Sequence, residues 1–188
     1  MSILRALFQT LGFLSILPLG KLAHFESRHV PAMLCLFPLA GALLGALLGL
    51  IWFGLSFLRV PAHVTAALMV VLWAILTRAF HLDGLADCAD GLGGGYTRER
   101  RLEIMKDPHT GAFGVVAIVC VLLLKYAALS GGTFFVSAWL YGQGVWLRQV
   151  LLLALVCSLG RLSVLLVAAG SNYARAEGGL GRDFIAGA

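Results

Sequence analysis

The chain has 188 residues, a length that suits one ordinary domain, but its composition excludes an ordinary soluble one. Hydrophobic residues make up 60% of it and charged residues 12%, whereas soluble domains have about 45–50% and about 25%. Too few polar groups remain to cover a water-facing surface, which also excludes disordered and disulfide-stapled secreted proteins. The net charge of +5 is attributed to Lys and Arg in cytoplasmic loops rather than to nucleic-acid binding. The composition therefore predicts an all-α, polytopic transmembrane helix bundle.

Long uncharged runs predict the membrane helices. Residues 3–19 are expected to form an interfacial or re-entrant helix rather than a signal peptide, because no small-residue cleavage site follows them. The first crossing is predicted over 30–58, where a glycine recurs every fourth residue from Gly41 to Gly49 and would let a neighbouring helix approach closely. Later crossings are predicted at 60–77, 112–130 and 149–169. The stretch 133–147 either crosses as well or, as its shortness favours, forms an extracytoplasmic hairpin or interfacial helix.

Residues 78–111 interrupt this pattern with eleven charged residues, among them six of the nine acidic ones. Because basic residues favour the cytoplasmic side, this segment and the N-terminus are expected to be cytoplasmic, with two crossings between them. A short amphipathic helix is predicted from Thr97, its N-cap, to Lys106, and Pro108 forces its end. Its basic side chains are candidates for contacts with phosphate or with lipid headgroups: Arg98, Arg100, Arg101 and Lys106.

Three aspartates of this segment, Asp83, Asp87 and Asp90, are spaced as i, i+4 and i+7. A helix places them within an arc of about 60°, directly after the second crossing, where the helix would emerge at the cytoplasmic surface. Nothing local neutralises their repulsion, so they predict a site for Mg²⁺ or Mn²⁺ and hence phosphate chemistry. The alternative is a solvated acidic helix end. The glycines Gly84 and Gly91 among the acids would let a bulky group approach.

Other ionisable residues have less definite roles. Asp107, in a glycine-containing turn, is a candidate metal ligand or a cap. His81 lies on the opposite side of the helix and is expected to be structural. Arg161 interrupts the last apolar span, where a charge is costly and by default faces the bundle interior, so its expected partner is the acid cluster or a phosphate. Lys125, closer to a span end, is expected to snorkel towards the surface.

With these residues in view, the chain resembles the cobalamin synthase (cobalamin-5′-phosphate synthase) family of bacterial and archaeal membrane proteins. Chains of that family continue with further hydrophobic segments. The resemblance therefore implies that residues 1–188 form a single integral membrane domain lacking the family's C-terminal spans, with 78–111 as its cytoplasmic active-site segment. The matching stretches occur in the right order and run from Phe37 to Gly41, His81 to Gly91, Arg101 to Gly111 and Tyr173 to Gly181.

The resemblance implies an enzyme of the bacterial inner membrane with Mg²⁺ as its cofactor. Such enzymes transfer the adenosylcobinamide phosphate group from adenosylcobinamide-GDP to α-ribazole or its 5′-phosphate and release GMP. Asp90 is expected to accept the proton of the attacking ribose hydroxyl, and Arg161 and Arg175 to balance phosphate charge. The expected metal ligands are Asp83, Asp87, Asp90 and Asp107, and the expected substrate contacts are Lys106 and Gly111.

Three other classes of protein compete with this interpretation. A CDP-alcohol phosphatidyltransferase would need an arginine two residues after the glycine-spaced acids and a later pair of aspartates, and a UbiA-like prenyltransferase would need a second acidic motif. The sequence shows neither pattern. A divalent-metal transporter should place its acids at mid-membrane on facing helices, whereas these cluster at one cytoplasmic end. The choice of ribazole substrate and the number of subunits in a homo-oligomer stay open.

Overall fold

The computed structural model describes residues 3–19, 29–131, 145–174 and 180–186. Every regular element in these ranges is an α-helix, which confirms the predicted all-α class. The stretch predicted as a hairpin at 133–147 lies outside the described residues up to position 144, and Arg175 lies outside them as well. The helices are α1 Ile3–Leu14, α2 Val30–Phe57, α3 Ala62–Leu76, α4 Phe80–Gly94, α5 Arg98–Ile104, α6 Ala112–Ser130, α7 Val145–Ala169 and α8 Leu180–Ala186.

Three of the described helices, α2, α6 and α7, are long and apolar enough to cross a membrane. They coincide with the crossings predicted at 30–58, 112–130 and 149–169, although α7 begins four residues earlier. Helix α3 has 15 residues, or about 22 Å, which is short of the ~30 Å hydrocarbon core. It is followed by α4 at a bend of 86°, so the pair forms either a broken span or a re-entrant loop.

The bend between α3 and α4 is made by two consecutive residues in the left-handed region, Arg78 at φ 52° and Ala79 at φ 53°. This conformation costs non-glycine residues roughly 1–2 kcal/mol each. Turn hydrogen bonds offset that cost: the Ala79 N–H donates to the Ala74 carbonyl at 2.7 Å, and the Thr77 hydroxyl donates to the Trp73 carbonyl at 2.9 Å. The acidic helix therefore does not continue the axis of the second predicted crossing, contrary to the expectation that it simply emerges from it.

The chain divides into two compact units. The first combines residues 1–60 and 137–188 and contains α1, α2, α7 and α8. The second, Pro61–Val136, contains α3 to α6. All three aspartates of the predicted metal site therefore belong to the second unit, whereas Arg161 belongs to the first.

In the first unit, α2 packs against α7 along the face that carries a glycine every fourth residue. A Cβ added at Gly41 would lie 2.5 Å from the carbonyl oxygen of Cys157, and one added at Gly45 would collide with the carbonyl oxygen of Leu153. The predicted close approach of a neighbouring helix is confirmed, because at these positions backbone meets backbone.

Helix α1 is an integral part of the first unit. Its Thr10 is fully buried, with a hydroxyl 2.8 Å from the Ala6 carbonyl and 3.4 Å from the Met33 carbonyl of α2. The amide oxygen of Gln9, also buried, lies 3.0 Å from Nδ1 of His29 at the start of α2. These polar contacts fix how α1 sits on α2, since buried polar groups must find partners.

Candidate active site

The three aspartates of the predicted metal site share one face of α4, as expected from their spacing, but their burial differs. Asp83 is exposed, Asp87 is half-buried and Asp90 is only 9% exposed. At 1.5 Å per residue, Asp83 and Asp90 are about 10 Å apart along the helix axis. The acidic face therefore runs from an accessible end at Asp83 to a buried end at Asp90.

Asp90 is buried because its carboxylate binds the N-terminus of α6. The Gly111 N–H donates to Oδ2 at 2.7 Å, and the Gly114 N–H donates to Oδ1 at 2.8 Å. Gly111 is the N-cap residue of α6 and has no side chain with which to cap it. Asp90 supplies the missing acceptor from another helix, and its negative charge lies at the positive end of the α6 dipole.

These contacts bear on two sequence-based assignments. Asp90 was expected to be a general base and a metal ligand, and Gly111 to contact substrate. In the structure each Asp90 oxygen already accepts a hydrogen bond, and the Gly111 N–H is committed to one of them. The roles of Asp90 in catalysis and metal binding and of Gly111 in substrate binding stay predictions, whereas the hydrogen bond that joins the two residues is observed.

Helix α4 packs against the start of α6. Ala86 of α4 contacts the Gly114 position, near the start of α6. Before the bend, Trp73 of α3 lies under the Lys125 ammonium, 4.8 Å from its ring centroid. Because Gly114 and Lys125 are about 16 Å apart along α6, the chain between Trp73 and Ala86 runs back along this span.

The glycines of the acidic motif have different surroundings. A Cβ at Gly91 would lie 2.7 Å from the Met105 methyl carbon, and one at Gly93 would lie 2.6 Å from the Phe113 ring. These two glycines therefore admit neighbouring parts of the protein. At Gly84 no described residue lies within 4 Å of such a Cβ. Of the glycines in the motif, Gly84 is therefore the one beside which a bulky ligand has room. It lies between Asp83 and Asp87, where a glycine lowers helix stability, and no packing contact with a described residue requires a glycine there.

Helix α5 confirms the predicted short helix and its cap. The Thr97 hydroxyl accepts the Arg100 N–H at 3.2 Å, and Arg100 pairs with Glu103 at 2.7 Å on the exposed side. Arg101 donates from Nε to the Gly95 carbonyl at 2.8 Å, which anchors α5 to the end of α4. Lys106, the predicted substrate contact, is exposed just beyond the helix. Arg101 therefore already has a structural role, while Lys106 keeps its predicted one.

Asp107 forms a local turn with His109, a residue that the sequence analysis did not single out. The His109 backbone N–H donates to Asp107 Oδ1 at 2.9 Å, and His109 Nδ1 lies 2.6 Å from the same oxygen. Both contacts lower the pKa of the Asp107 carboxyl below its ordinary value, and the backbone hydrogen bond contributes more than the side-chain one. The Asp-Pro-His spacing is the signal that points to this turn. Asp107 thus acts as a turn-forming acceptor, and its role as a metal ligand stays a prediction.

No three His, Cys, Asp or Glu side chains converge on one point in the described ranges. The four predicted ligands therefore do not form a closed cage there. Asp83 and Asp87, one turn apart on an accessible face, are the pair best placed to hold a cation. Their oxygens suit Mg²⁺, which proteins commonly bind through one or two carboxylates, with waters and substrate phosphates completing the shell.

Arg161, in the first unit, is 5% exposed within the apolar helix α7. Its Cδ lies 3.1 Å from a Cβ placed at Gly41, so its stem packs against the glycine face of α2. Its Nε is buried and has no hydrogen-bond partner in the part of the chain that the structure describes. The prediction that Arg161 faces the protein interior is confirmed, and its pairing with an acid or a phosphate stays a prediction.

Comparison with known proteins identifies the family. A family model described as cobalamin-5-phosphate synthase matches residues 6–188. The chain belongs to this family. The resemblance inferred from the acidic motif is therefore confirmed over nearly the whole chain, including the segment that contains α4, α5 and the start of α6.

Relatives within the family are similar over most of this chain. It is 42% identical over 181 residues to the adenosylcobinamide-GDP ribazoletransferase of Syntrophobacter fumaroxidans, covering 93% of this chain and 66% of the relative. It is 44% identical over 175 residues to the protein of the same name from Pseudomonas putida strain F1, covering 92% and 66%. The chain thus spans just under two thirds of the length of these curated relatives. No solved structure matches it significantly.

Proposed function

We propose that this chain carries out, or forms part of a protein that carries out, the transfer of adenosylcobinamide phosphate from adenosylcobinamide-GDP to α-ribazole or α-ribazole 5′-phosphate, with release of GMP. Family membership over residues 6–188 is the observation that carries the proposal. The accessible carboxylate pair on α4 supports it, because both the pyrophosphate and the departing GMP are anionic and need a cation. The two substrates and the lipid bilayer are the proposed partners.

In the proposed reaction the ribose hydroxyl of ribazole forms a new P–O bond to the phosphorus on the corrinoid side of the pyrophosphate. The P–O bond to GMP breaks, GMP leaves with the electron pair, and the proton of the ribose hydroxyl passes to water. Asp83 and Asp87 would hold Mg²⁺, which supplies charge neutralisation at the phosphate oxygens. Lys106 is proposed to bind an anionic part of the substrate beside α5, and Arg161 and Arg175 to offset developing negative charge.

The direct test of this proposal is GMP release from the purified chain. The protein in detergent or in nanodiscs is incubated with adenosylcobinamide-GDP, ribazole 5′-phosphate and Mg²⁺, and GMP and the cobalamin product are followed together. The expected result is equimolar formation of both, abolished by a chelator and restored by added Mg²⁺. GMP formation without a corrinoid product would indicate hydrolysis, and no GMP at any Mg²⁺ concentration would contradict the proposal for this chain.

The substrate-handling face is proposed to be cytoplasmic, in the bacterial inner membrane. Tyr96, between α4 and α5, is 97% exposed and is the best reporter position, since the neighbouring Thr97 hydroxyl is needed as a cap. In a background whose four native cysteines are replaced by alanine, Tyr96→Cys in intact cells should resist an impermeant maleimide and react after permeabilisation. Labelling in intact cells would place the segment outside and contradict the substrate assignment as well.

Arg161 is expected to be needed for transfer but not for folding. A charge inside an apolar span costs roughly 2.5–3.5 kcal/mol at the helix centre, so Arg161→Leu should fold at least as well as the unaltered chain and be inactive. Arg161→Lys should fold but lose most transfer, because an ammonium does not reproduce the planar fork that binds phosphate oxygens. Thermal unfolding in detergent and GMP release measure the two effects separately. Full activity of Arg161→Lys would exclude bidentate phosphate binding by Arg161.

A further inference from the structure

Asp90 is the most buried acid of the α4 motif, and both of its oxygens bind backbone N–H groups 21 and 24 residues farther along the chain. These bonds connect α4 to the first turn of α6. Any displacement of α4 along or around α6 would break them.

The two residues that donate to Asp90 are glycines because the carboxylate leaves no room for a Cβ at either position. A Cβ at Gly111 would lie 2.6 Å from Asp90 Oδ1, and one at Gly114 would collide with Oδ2. The backbone of Gly111, at φ −84° and ψ −179°, is open to any residue, so the requirement for glycine there is one of space. Both glycines are therefore explained by the close approach of Asp90, without a ligand.

The position of Asp90 disfavours the two chemical roles that its motif suggests. A cation bound at Asp90 would lie at the positive end of the α6 dipole, where anions are stabilised and cations are not. A general base must lie within hydrogen-bond reach of the hydroxyl whose proton it takes, whereas both Asp90 oxygens accept backbone N–H groups and the residue is only 9% exposed. Asp83 and Asp87 lie up to about 10 Å away along α4 and are free of this conflict.

We propose that Asp90 is a positioning residue: through the Gly111 and Gly114 N–H groups it holds α4 against α6, and thereby orients Asp83 and Asp87 for the bound cation and pyrophosphate. It neither binds the metal nor accepts the ribose proton. The effect of Asp90 on transfer rests on the proposed function, whereas its effect on the start of α6 does not. The metal ligands on α4 are then Asp83 and Asp87, and the proton acceptor is another group or water.

Backbone amide hydrogen exchange, measured on the full chain in nanodiscs, tests the structural half of the proposal. In Asp90→Asn one carboxylate oxygen becomes an NH₂ group and the charge is lost, so exchange at Gly111 and Gly114 should accelerate at least about tenfold. In Asp83→Asn, the matched change two turns earlier on the same face, exchange at these amides should stay at the level of the unaltered chain. Unchanged exchange in Asp90→Asn would overturn the proposal.

Kinetics separate a positioning residue from a general base. Turnover of Asp90→Asn should fall and stay low at saturating Mg²⁺, while the remaining activity keeps the pH profile of the unaltered chain. A general base would lose the acidic limb of that profile. Loss of the acidic limb in Asp90→Asn, or turnover equal to that of the unaltered chain, would overturn the proposal.

Gly111→Ala provides a second route if Asp90→Asn does not fold. The added methyl group displaces the Asp90 carboxylate without altering its chemistry, so exchange at Gly114 should rise and turnover should fall, again with an unchanged pH profile. Wild-type exchange and turnover in Gly111→Ala would contradict the proposal. If the unaltered chain releases no GMP, the proposed function fails for this chain by itself, and the exchange rates at Gly111 and Gly114 still decide whether Asp90 holds α4 on α6.

Discussion

Replacing Asp83 or Asp87 with asparagine is expected to reduce GMP release by at least about a hundredfold. Loss of residues that merely support metal ligands typically costs 10–100-fold, and loss of a ligand itself should cost no less. Asp83 is exposed and Asp87 is half-buried, so neither side chain belongs to the fully buried core. Exposed substitutions of this kind usually alter stability by less than about 0.5 kcal/mol. The variants should therefore insert and fold like the unaltered chain.

The measurement is GMP release as a function of Mg²⁺ concentration, with thermal unfolding in detergent alongside. Glu99→Gln is the matched control, because Glu99 is an exposed acid of the same unit that lies on α5 and outside the acidic face of α4. It should keep normal turnover and normal Mg²⁺ dependence. Near-normal turnover of Asp83→Asn or Asp87→Asn at low Mg²⁺ would show that the residue in question is not a ligand.

Gly45→Ala is expected to weaken the first unit by about 1–3 kcal/mol, the range for a methyl group forced into a close-packed site. The new Cβ would collide with the backbone of α7 at Leu153, which no change of side-chain rotamer can relieve. Gly54→Ala, on the same helix, is the matched control. No described residue lies within 4 Å of its Cβ, so the change should be neutral or stabilising by up to about 1 kcal/mol.

Cys157 reports the separation of α2 and α7 directly, because it is 1% exposed and its carbonyl faces Gly41. With the other three cysteines replaced, its rate of maleimide labelling in increasing denaturant measures opening of this interface. Gly45→Ala should become labelled at lower denaturant than the unaltered chain, and Gly54→Ala should not. Equal labelling curves for all three proteins would show that the two helices separate easily enough to admit a methyl group.

The helices that cross the membrane could be predicted from the sequence almost residue by residue. Helices α2 and α6 end where charged or polar residues interrupt an apolar run, and this local composition alone decides which segments can enter lipid. The common face of Asp83, Asp87 and Asp90 also follows from local information, since helical periodicity determines it. The family could also be inferred from the sequence, because the residues of the acidic motif are contiguous in the chain.

The differences among those three aspartates could not be predicted in this way. Asp90 is distinguished by hydrogen bonds from the N–H groups of Gly111 and Gly114. These glycines are 21 and 24 residues farther along the chain and follow α5 in the sequence. Helical periodicity gives the direction of a side chain around its own axis, but it carries no information about what lies opposite. From the sequence alone, the three aspartates are therefore equivalent candidates.

The sequence by itself determined an all-α membrane protein, three of its four predicted crossings as long apolar helices, the acidic face of one further helix and the glycine face of α2. Each of these depends on residues that are close in the chain. Only the tertiary structure decided that α4 turns by 86° from α3, that Asp90 caps α6, and that Arg161 is buried against Gly41. These features arise where segments distant in sequence meet, and the packing of backbone against backbone selects among arrangements that local patterns leave equivalent.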